Sequence, residues 1–600
     1  MGGFSVALPW ICLLILAAVV ASESADEVCS EHGGPSDCIC PEIGWAGSET
    51  LPECKLPAEW ITQPLNQSGS FENPCLDFRN EDMVTSFKSA VNALKSYYAF
   101  TEHKGINWDR VEKAILPKVT EASDQQSVSL YMEAILKMFT YIPDGQLSLL
   151  PFCNEEEYAN LTKAHTGGSF GFAVEETDDG KFVVTYVNPS SWVSKVGVLA
   201  GDFLVKRGEN GIPMRTWMLT RTYESYAWTL TPPFAEPPGN RTNPARKSSR
   251  RNALLKASMR APVGSYDIFF FETAGKLNIS AYDDNYLDLK AMKRRGSRAS
   301  TGETIQSEIL DSGLGYIAIA DVMPIPAIPD GGWLDSMKQA MKKVNTTPGL
   351  IIDIRSNAGG VNFWASVFAA FFASSKVALY EKTGYPNDYL NTQAGLMEAS
   401  NVTISDTGYS TLPSDIALDS KAELHTMAPR PGAYTGPVAC IINDVTINSG
   451  EGLAWLCKTM IADHVVGFDS THGSFGMAGS RIVLPGGNPP STDAQKGFMI
   501  SFPAFYSADV NGSVQLESDA NGDGGVAPTA EGLIPSTADN LLAYVRGLMA
   551  NDPYDDIELL TAETLLLGAP AHADISACTS YPTVAFQILC VAYGFLLCLM

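Results

Sequence analysis

The sequence predicts an α/β fold in the broad sense: an α+β multidomain chain with a helical section, a strand-rich section and an alternating strand–helix core. Three observations carry this. Between Asp77 and Tyr141 apolar residues recur at three- and four-residue spacing, as amphipathic helices require. Asp179-Gly180 then reads as a hairpin turn leading into the strand Phe182-Val183-Val184-Thr185-Tyr186-Val187. From Gly313 to about Asp556, β-branched runs alternate with helical patterns, which predicts strands covered by helices. With 600 residues, 45% of them apolar, the chain can build roughly two to four cores.

The ends predict export. Leu8 to Ala21 is an apolar run followed by small and acidic residues, so 1–24 reads as a signal peptide, cleaved between Ala21 and Ala25. A membrane anchor is the alternative, but the run is short for a span. Residues 25–75, rich in Cys, Pro and Gly, read as a disulfide-stapled N-terminal extension. Cys29, Cys38, Cys40, Cys54, Cys75 and Cys153 form an even set whose connectivity spacing does not give. Cys440 and Cys457 fit equally as a pair or as two buried thiols. Sequons at Asn66, Asn160, Asn240, Asn278, Asn345, Asn401 and Asn511 fit a glycoprotein. At the far end, 578–600 contains the apolar stretch Val584 to Met600, with small residues before it and no basic residue after it. That arrangement predicts a lipid-anchor signal of the glycosylphosphatidylinositol type, with a short transmembrane anchor as the alternative. The expected location is therefore the extracellular face of a membrane. A net charge of −26 excludes nucleic acid as a partner class. No His/Cys cluster has zinc spacing, and no motif calls for a metal or other cofactor.

In the helical region, 76–150, Met83, Phe87, Val91, Leu94 and Tyr97-Tyr98 mark one buried face and Val128, Tyr131, Ile135 and Met138 another. Over 165–290, Gly168-Ser169-Phe170-Gly171-Phe172, the hairpin and Gly197-Val198-Leu199-Ala200-Gly201-Asp202 together resemble a PDZ domain. The resemblance implies peptide capture by strand addition, with Gly168, Phe170 and Gly171 receiving the peptide. An insertion over 213–261 interrupts the unit and carries Arg246-Lys247-Ser248-Ser249-Arg250-Arg251. That run reads as a solvated loop, or else as a processing or acidic-lipid site. The core, 305–560, has strands at Leu314 to Ile319, at Gly349 to Asp353 and at Gly436 to Asn443. The last of these breaks at Asp444-Val445-Thr446-Ile447-Asn448-Ser449-Gly450-Glu451 and turns into a helix. A strand-to-helix elbow of this kind exposes one side chain beside backbone N–H groups.

The elbow, Gly349-Leu350-Ile351-Ile352-Asp353-Ile354-Arg355-Ser356-Asn357-Ala358-Gly359-Gly360 and three later landmarks occur in the order found in the tail-specific (C-terminal processing) serine peptidases, which this chain resembles from about 77 to 560. The resemblance implies a polypeptide substrate or ligand, an oxyanion role for Gly359 and Gly360, and a nucleophilic serine at the elbow. Aligned on Thr446, Gly450 and Glu451, that serine position holds Asn448. An amide cannot form the ester intermediate. One branch of the family takes its base from a lysine, where Gly473 stands here; the other uses a histidine, where Gln146 stands. Neither replacement can accept a proton near neutral pH. Ser449 as nucleophile and His472 as base remain the catalytic candidates if the turn is shifted by one residue; otherwise Ser449 reads as an N-cap and His472 as structural. Glu517 and Asp519 read as turn residues. The expectation is an exported tail-specific-peptidase-like protein that acts on or binds polypeptide. Its alternative is a catalytically inactive homologue serving as a cell-surface peptide- or lipid-binding protein, the lipid being a small apolar ligand.

Overall fold

The computed structural model describes residues 75–568 apart from 217–259, 284–304, 323–331, 385–425, 488–496, 509–512, 520–523, 551–555 and a few isolated positions. The signal peptide, the N-terminal extension up to residue 74, the C-terminal apolar segment and most of the insertion lie outside the described residues. Among the described residues no helix is long and apolar enough to cross a membrane.

Five strands build the central sheet, in the order Ile305–Ile309, Gly315–Ile319, Leu350–Asp353, Val438–Ile441 and His464–Val466. All neighbours are parallel except the first pair, which is antiparallel. The sequence reading starts this sheet at Leu314. The extra edge strand Ile305–Ile309 alternates polar and apolar residues only weakly, as an edge partly exposed to solvent can. The three inner strands are buried on both faces, which explains their mostly apolar composition, broken at the end of one by Asp353. One face packs against the helices Gly332–Val344, Asn362–Ala369 and Ser449–Leu456, the other against Ala538–Ala550 and Ile557–Leu567.

The helices Met83–Tyr97 and Val128–Phe139 bury the apolar faces read from their periodicity, and a further helix, Trp108–Asp124, lies between them in sequence; Asp82, Asn107 and Ser127 cap the starts of the three. They pack on a long hairpin from the core, Met477–Pro485 with Gly497–Ala508, so that Phe87 and Tyr131 share one buried cluster with Phe498 and Ile500. Two short strands, Cys75–Asp77 and Ser148–Leu150, pair with that hairpin.

Between these lies a unit with its own apolar cluster around Phe170, Phe172, Phe269 and Phe271. Asp179 and Gly180 do form the hairpin turn between Phe172–Glu176 and Phe182–Val187.

Candidate active site

The elbow is built from the sheet outward. Beyond Val438–Ile441, the Asn443 side chain gathers the turn: its Oδ1 accepts from the N–H groups of Ser356, Val445 and Thr446 at 2.9, 3.2 and 3.2 Å. Thr446 is fully buried, and its hydroxyl donates to the Ile354 carbonyl at 2.9 Å. Further on, the Ile447 N–H donates to the Asn357 carbonyl and the Asn448 N–H to the Ser474 carbonyl, both at 3.0 Å. Fixed on both sides, Asn448 adopts φ 55° and ψ −130°, and the helix Ser449–Leu456 begins at the next residue. Such a conformation is ordinarily left to glycine and costs a larger residue about 1–3 kcal/mol. A disulfide between Cys440 and Cys457 ties the strand before the elbow to the turn after its helix, closing the question that spacing left open.

The conformation settles which residue the elbow presents. Asn448 is half-buried, whereas Ser449 is fully buried in the first helical turn, its Oγ donating to Asn448 Oδ1 at 3.1 Å. Ser449 is not the N-cap that the sequence suggested; Asn448 holds that position and makes no side-chain cap bond. Gly359 lies directly against the elbow. A Cβ there would stand 2.6 Å from Asn448 Cβ and 3.1 Å from the Ser449 nitrogen, and φ is 92°, so only glycine fits. Gly360 follows at φ 144°. The Gly359 N–H is engaged with Asn357 Oδ1 at 2.9 Å, and its carbonyl accepts from Val322.

The two positions expected to supply a base converge here as well. Gln146 Nε2 donates to the Ser474 carbonyl at 2.8 Å, the same oxygen that receives the Asn448 N–H. Gln146 Oε1 is buried and has no hydrogen-bond partner. Gly473, at φ 78°, is adjacent in the same loop. His472 Nδ1 lies 2.9 Å from Ser474 Oγ, and the His472 N–H donates to the Thr446 carbonyl.

What holds this loop was not legible in the sequence. Four consecutive N–H groups, Gly473 to Gly476, donate to two buried carboxylates. Glu451 takes Gly473 at 2.6 Å and Ser474 at 2.8 Å, together with the Thr471 hydroxyl at 2.7 Å. Glu517 takes Phe475 at 2.7 Å and Gly476 at 2.9 Å, and pairs with buried Lys104 at 2.7 Å. Glu517 is therefore a pin and not a turn residue, because its carboxylate is the acceptor that two buried amides need.

Burial pushes Glu451 up to about 8 and Glu517 up to about 7, the second against the pull of Lys104. Glu558, buried beside Arg355, is likewise pushed up to about 7. A carboxyl whose folded pKa is raised adds stability that is complete below the ordinary carboxylate range and disappears as pH rises through 7 to 8. The melting temperature is expected to fall by several degrees from pH 5 to pH 8.5, with Glu451→Gln flattening the upper part of that fall. A melting temperature that rises across this window would contradict the assignment.

Of the residues expected to receive a peptide, Gly168 is paired on both sides, with Asp283 and Ala261. Phe170 is buried against Phe269, their rings 4.9 Å apart. Gly171, at φ 84°, accepts the Asn188 N–H on its carbonyl. Among the described residues no group of three or more His, Cys, Asp or Glu could hold a metal ion.

Residues 313–529 match the model of peptidase family S41. No curated protein matches the chain in sequence. Among solved structures, mature CPAF aligns with a TM-score of 0.50 at 13% identity, over 82% of this chain and 98% of that one. A putative peptidase from Parabacteroides merdae ATCC 43184 aligns at 0.39 and 13% identity, over 81% and 98%. The photosystem II D1 C-terminal processing protease aligns at 0.32 and 14%, over 77% and 97%. At these identities the likeness to CPAF is one of fold.

Proposed function

Because residues 313–529 match the model of peptidase family S41, we propose that this chain is an exported peptidase homologue that holds polypeptide at the old active site and does not cut it. The observation that carries this reading is the backbone of Asn448. Its φ of 55° and ψ of −130° accompany a half-buried amide side chain at the elbow and a fully buried hydroxyl on the next residue, which supports an elbow that presents Asn448. Acyl transfer without a nucleophile loses on the order of a million-fold in rate. Gln146 supports a binding role. Its buried Oε1 has no protein donor, and an orphan acceptor costs about 1–3 kcal/mol unless something supplies one. A peptide N–H would.

Export is part of the proposal. It is supported by the Cys440–Cys457 disulfide, which suits an oxidising compartment, and by the exposure of the sequon residues Asn160, Asn278 and Asn345. A cell-surface lipid anchor rests on the sequence of 578–600 alone.

The deciding experiment is a fluorophosphonate probe on the secreted protein beside Ser449→Ala, with saturation binding of unstructured peptides measured on both. No labelling, together with peptide binding that Ser449→Ala leaves unchanged, is the expected result. Labelling of the parent that vanishes in Ser449→Ala would mean a working, register-shifted peptidase, and the proposal would be wrong.

A further inference from the structure

The strained elbow has a chemical consequence that lies beyond any binding role. Cβ stands about 120° from the backbone nitrogen on a tetrahedral Cα. A ψ of −130° therefore brings the Ser449 nitrogen to within about 10° of eclipsing Asn448 Cβ. In that arrangement the Ser449 nitrogen, the Asn448 carbonyl carbon, Cα and Cβ lie nearly in one plane. These are four of the five atoms of a succinimide ring, and only Cγ has to swing in to close it. In helices and most strands ψ lies far from this value, and the backbone must distort before the ring can form. Here the fold already holds the conformation that ring closure needs.

We propose that Asn448 is a self-modifying residue, closing a succinimide onto the Ser449 nitrogen and converting to aspartate or isoaspartate. The Ser449 nitrogen gives up its proton and bonds to Asn448 Cγ, the Cγ–Nδ2 bond breaks, and the side-chain nitrogen leaves as ammonia carrying that proton. Water then opens the ring at one of its two acyl carbons. Attack at Cγ gives aspartate, and attack at the former backbone carbonyl gives isoaspartate.

Three further contacts favour the first step. The Ser449 hydroxyl donates to Asn448 Oδ1 at 3.1 Å, which polarises the carbon under attack. The Asn448 backbone carbonyl accepts the Glu451 N–H at 2.8 Å, which draws charge from the attacking amide. That amide nitrogen also sits at the start of the helix Ser449–Leu456, where the dipole stabilises developing negative charge. Asn448 is half-buried, so water can reach the ring. The product is a carboxylate at the elbow, one negative charge where the amide stood, against the glycine turn at Gly359 and Gly360.

The test compares rates at this one residue in two states of the full chain. Folded protein and protein unfolded in guanidinium are incubated at the same pH and temperature. Aspartate and isoaspartate at 448 are then quantified by peptide mass spectrometry, with Asn210-Gly211 as an internal clock. Conversion of Asn448 is expected to run at least about tenfold faster in the folded protein, because the folded backbone supplies the orientation. Isoaspartate among the products identifies the ring. Ser449→Ala is expected to slow the folded reaction several-fold while leaving the unfolded rate alone. A folded rate at Asn448 equal to or below the unfolded rate would overturn the proposal, as would aspartate formed with no isoaspartate. Either result is independent of whether the site binds peptide.

Discussion

Asn448→Ser combined with Gln146→His is expected to make the elbow site label with a fluorophosphonate and cleave unstructured peptides. The two substitutions restore the two side chains that acyl transfer needs, in a site whose backbone is already arranged for it. At 448 the elbow conformation and the glycine turn against it are in place. At 146 the side chain already reaches the Ser474 carbonyl, whose other partner is the elbow N–H, so a histidine there would stand next to a serine at 448. Asp144 holds the backbone at this position: its Oδ1 accepts the backbone N–H of residue 146 at 2.8 Å and its Oδ2 the Tyr98 hydroxyl at 2.6 Å. A positioned base contributes about 10²–10⁴-fold and a nucleophile on the order of a million-fold, so the double variant carries most of the gain. Asn448→Ser alone is expected to label slowly, and Gln146→His alone not at all. A folded double variant that neither labels nor cleaves would show that the oxyanion donors, engaged as Gly359 is with Asn357, have been retired along with the side chains.

How much of this was legible in the sequence follows from the range of the contacts. The elbow, the glycine turn and the helices Met83–Tyr97 and Val128–Phe139 are specified within a few residues of themselves, by an apolar run, a Gly-Gly pair or a period of 3.6, and each could be read directly. Asn448 and Gln146 were placed by motif, and the structure brings both to Ser474. The supports of the site were another matter. Glu451 reaches Gly473 across 22 positions and Glu517 reaches Phe475 across 42, to amides that carry no pattern of their own. A buried carboxylate that accepts backbone N–H groups looks, in sequence, like any acidic residue near a turn. This is why Glu517 reads in sequence as a turn residue. The strand Cys75–Asp77 could not be foreseen either, since its register with Arg481 to Val483 depends on a hairpin from the opposite end of the chain.

Arg355 is expected to be the most costly single position in the core, its replacement by methionine removing about 3–5 kcal/mol of stability. The guanidinium is almost wholly buried and serves three carboxylates at once: Asp353 at 2.6 Å, Asp556 at 2.7 Å and Glu558 at 2.8 Å. Asp353 ends the strand beside the elbow strand, while Asp556 and Glu558 begin the last helix, Ile557–Leu567, so one cation joins the sheet to the C-terminal end of the described fold. A methionine of similar length would fill the space and leave three acids facing one another without a counter-charge. Such acids are costly when ionised and cheap when neutral. The loss in Arg355→Met is therefore expected to be greatest near pH 8 and to shrink as pH falls toward 5. Glu558 would give way first, because burial already pushes its carboxyl up to about 7 despite the attraction of Arg355. Adding Glu558→Gln to Arg355→Met should recover part of the loss at pH 8 and little at pH 5. Denaturant unfolding of the two variants at both pH values decides it. A loss from Arg355→Met that does not change with pH would mean that the arginine contributes packing and not charge. The last helix would then be held by its apolar face, through Ile557, Leu559 and Ala562, against the sheet.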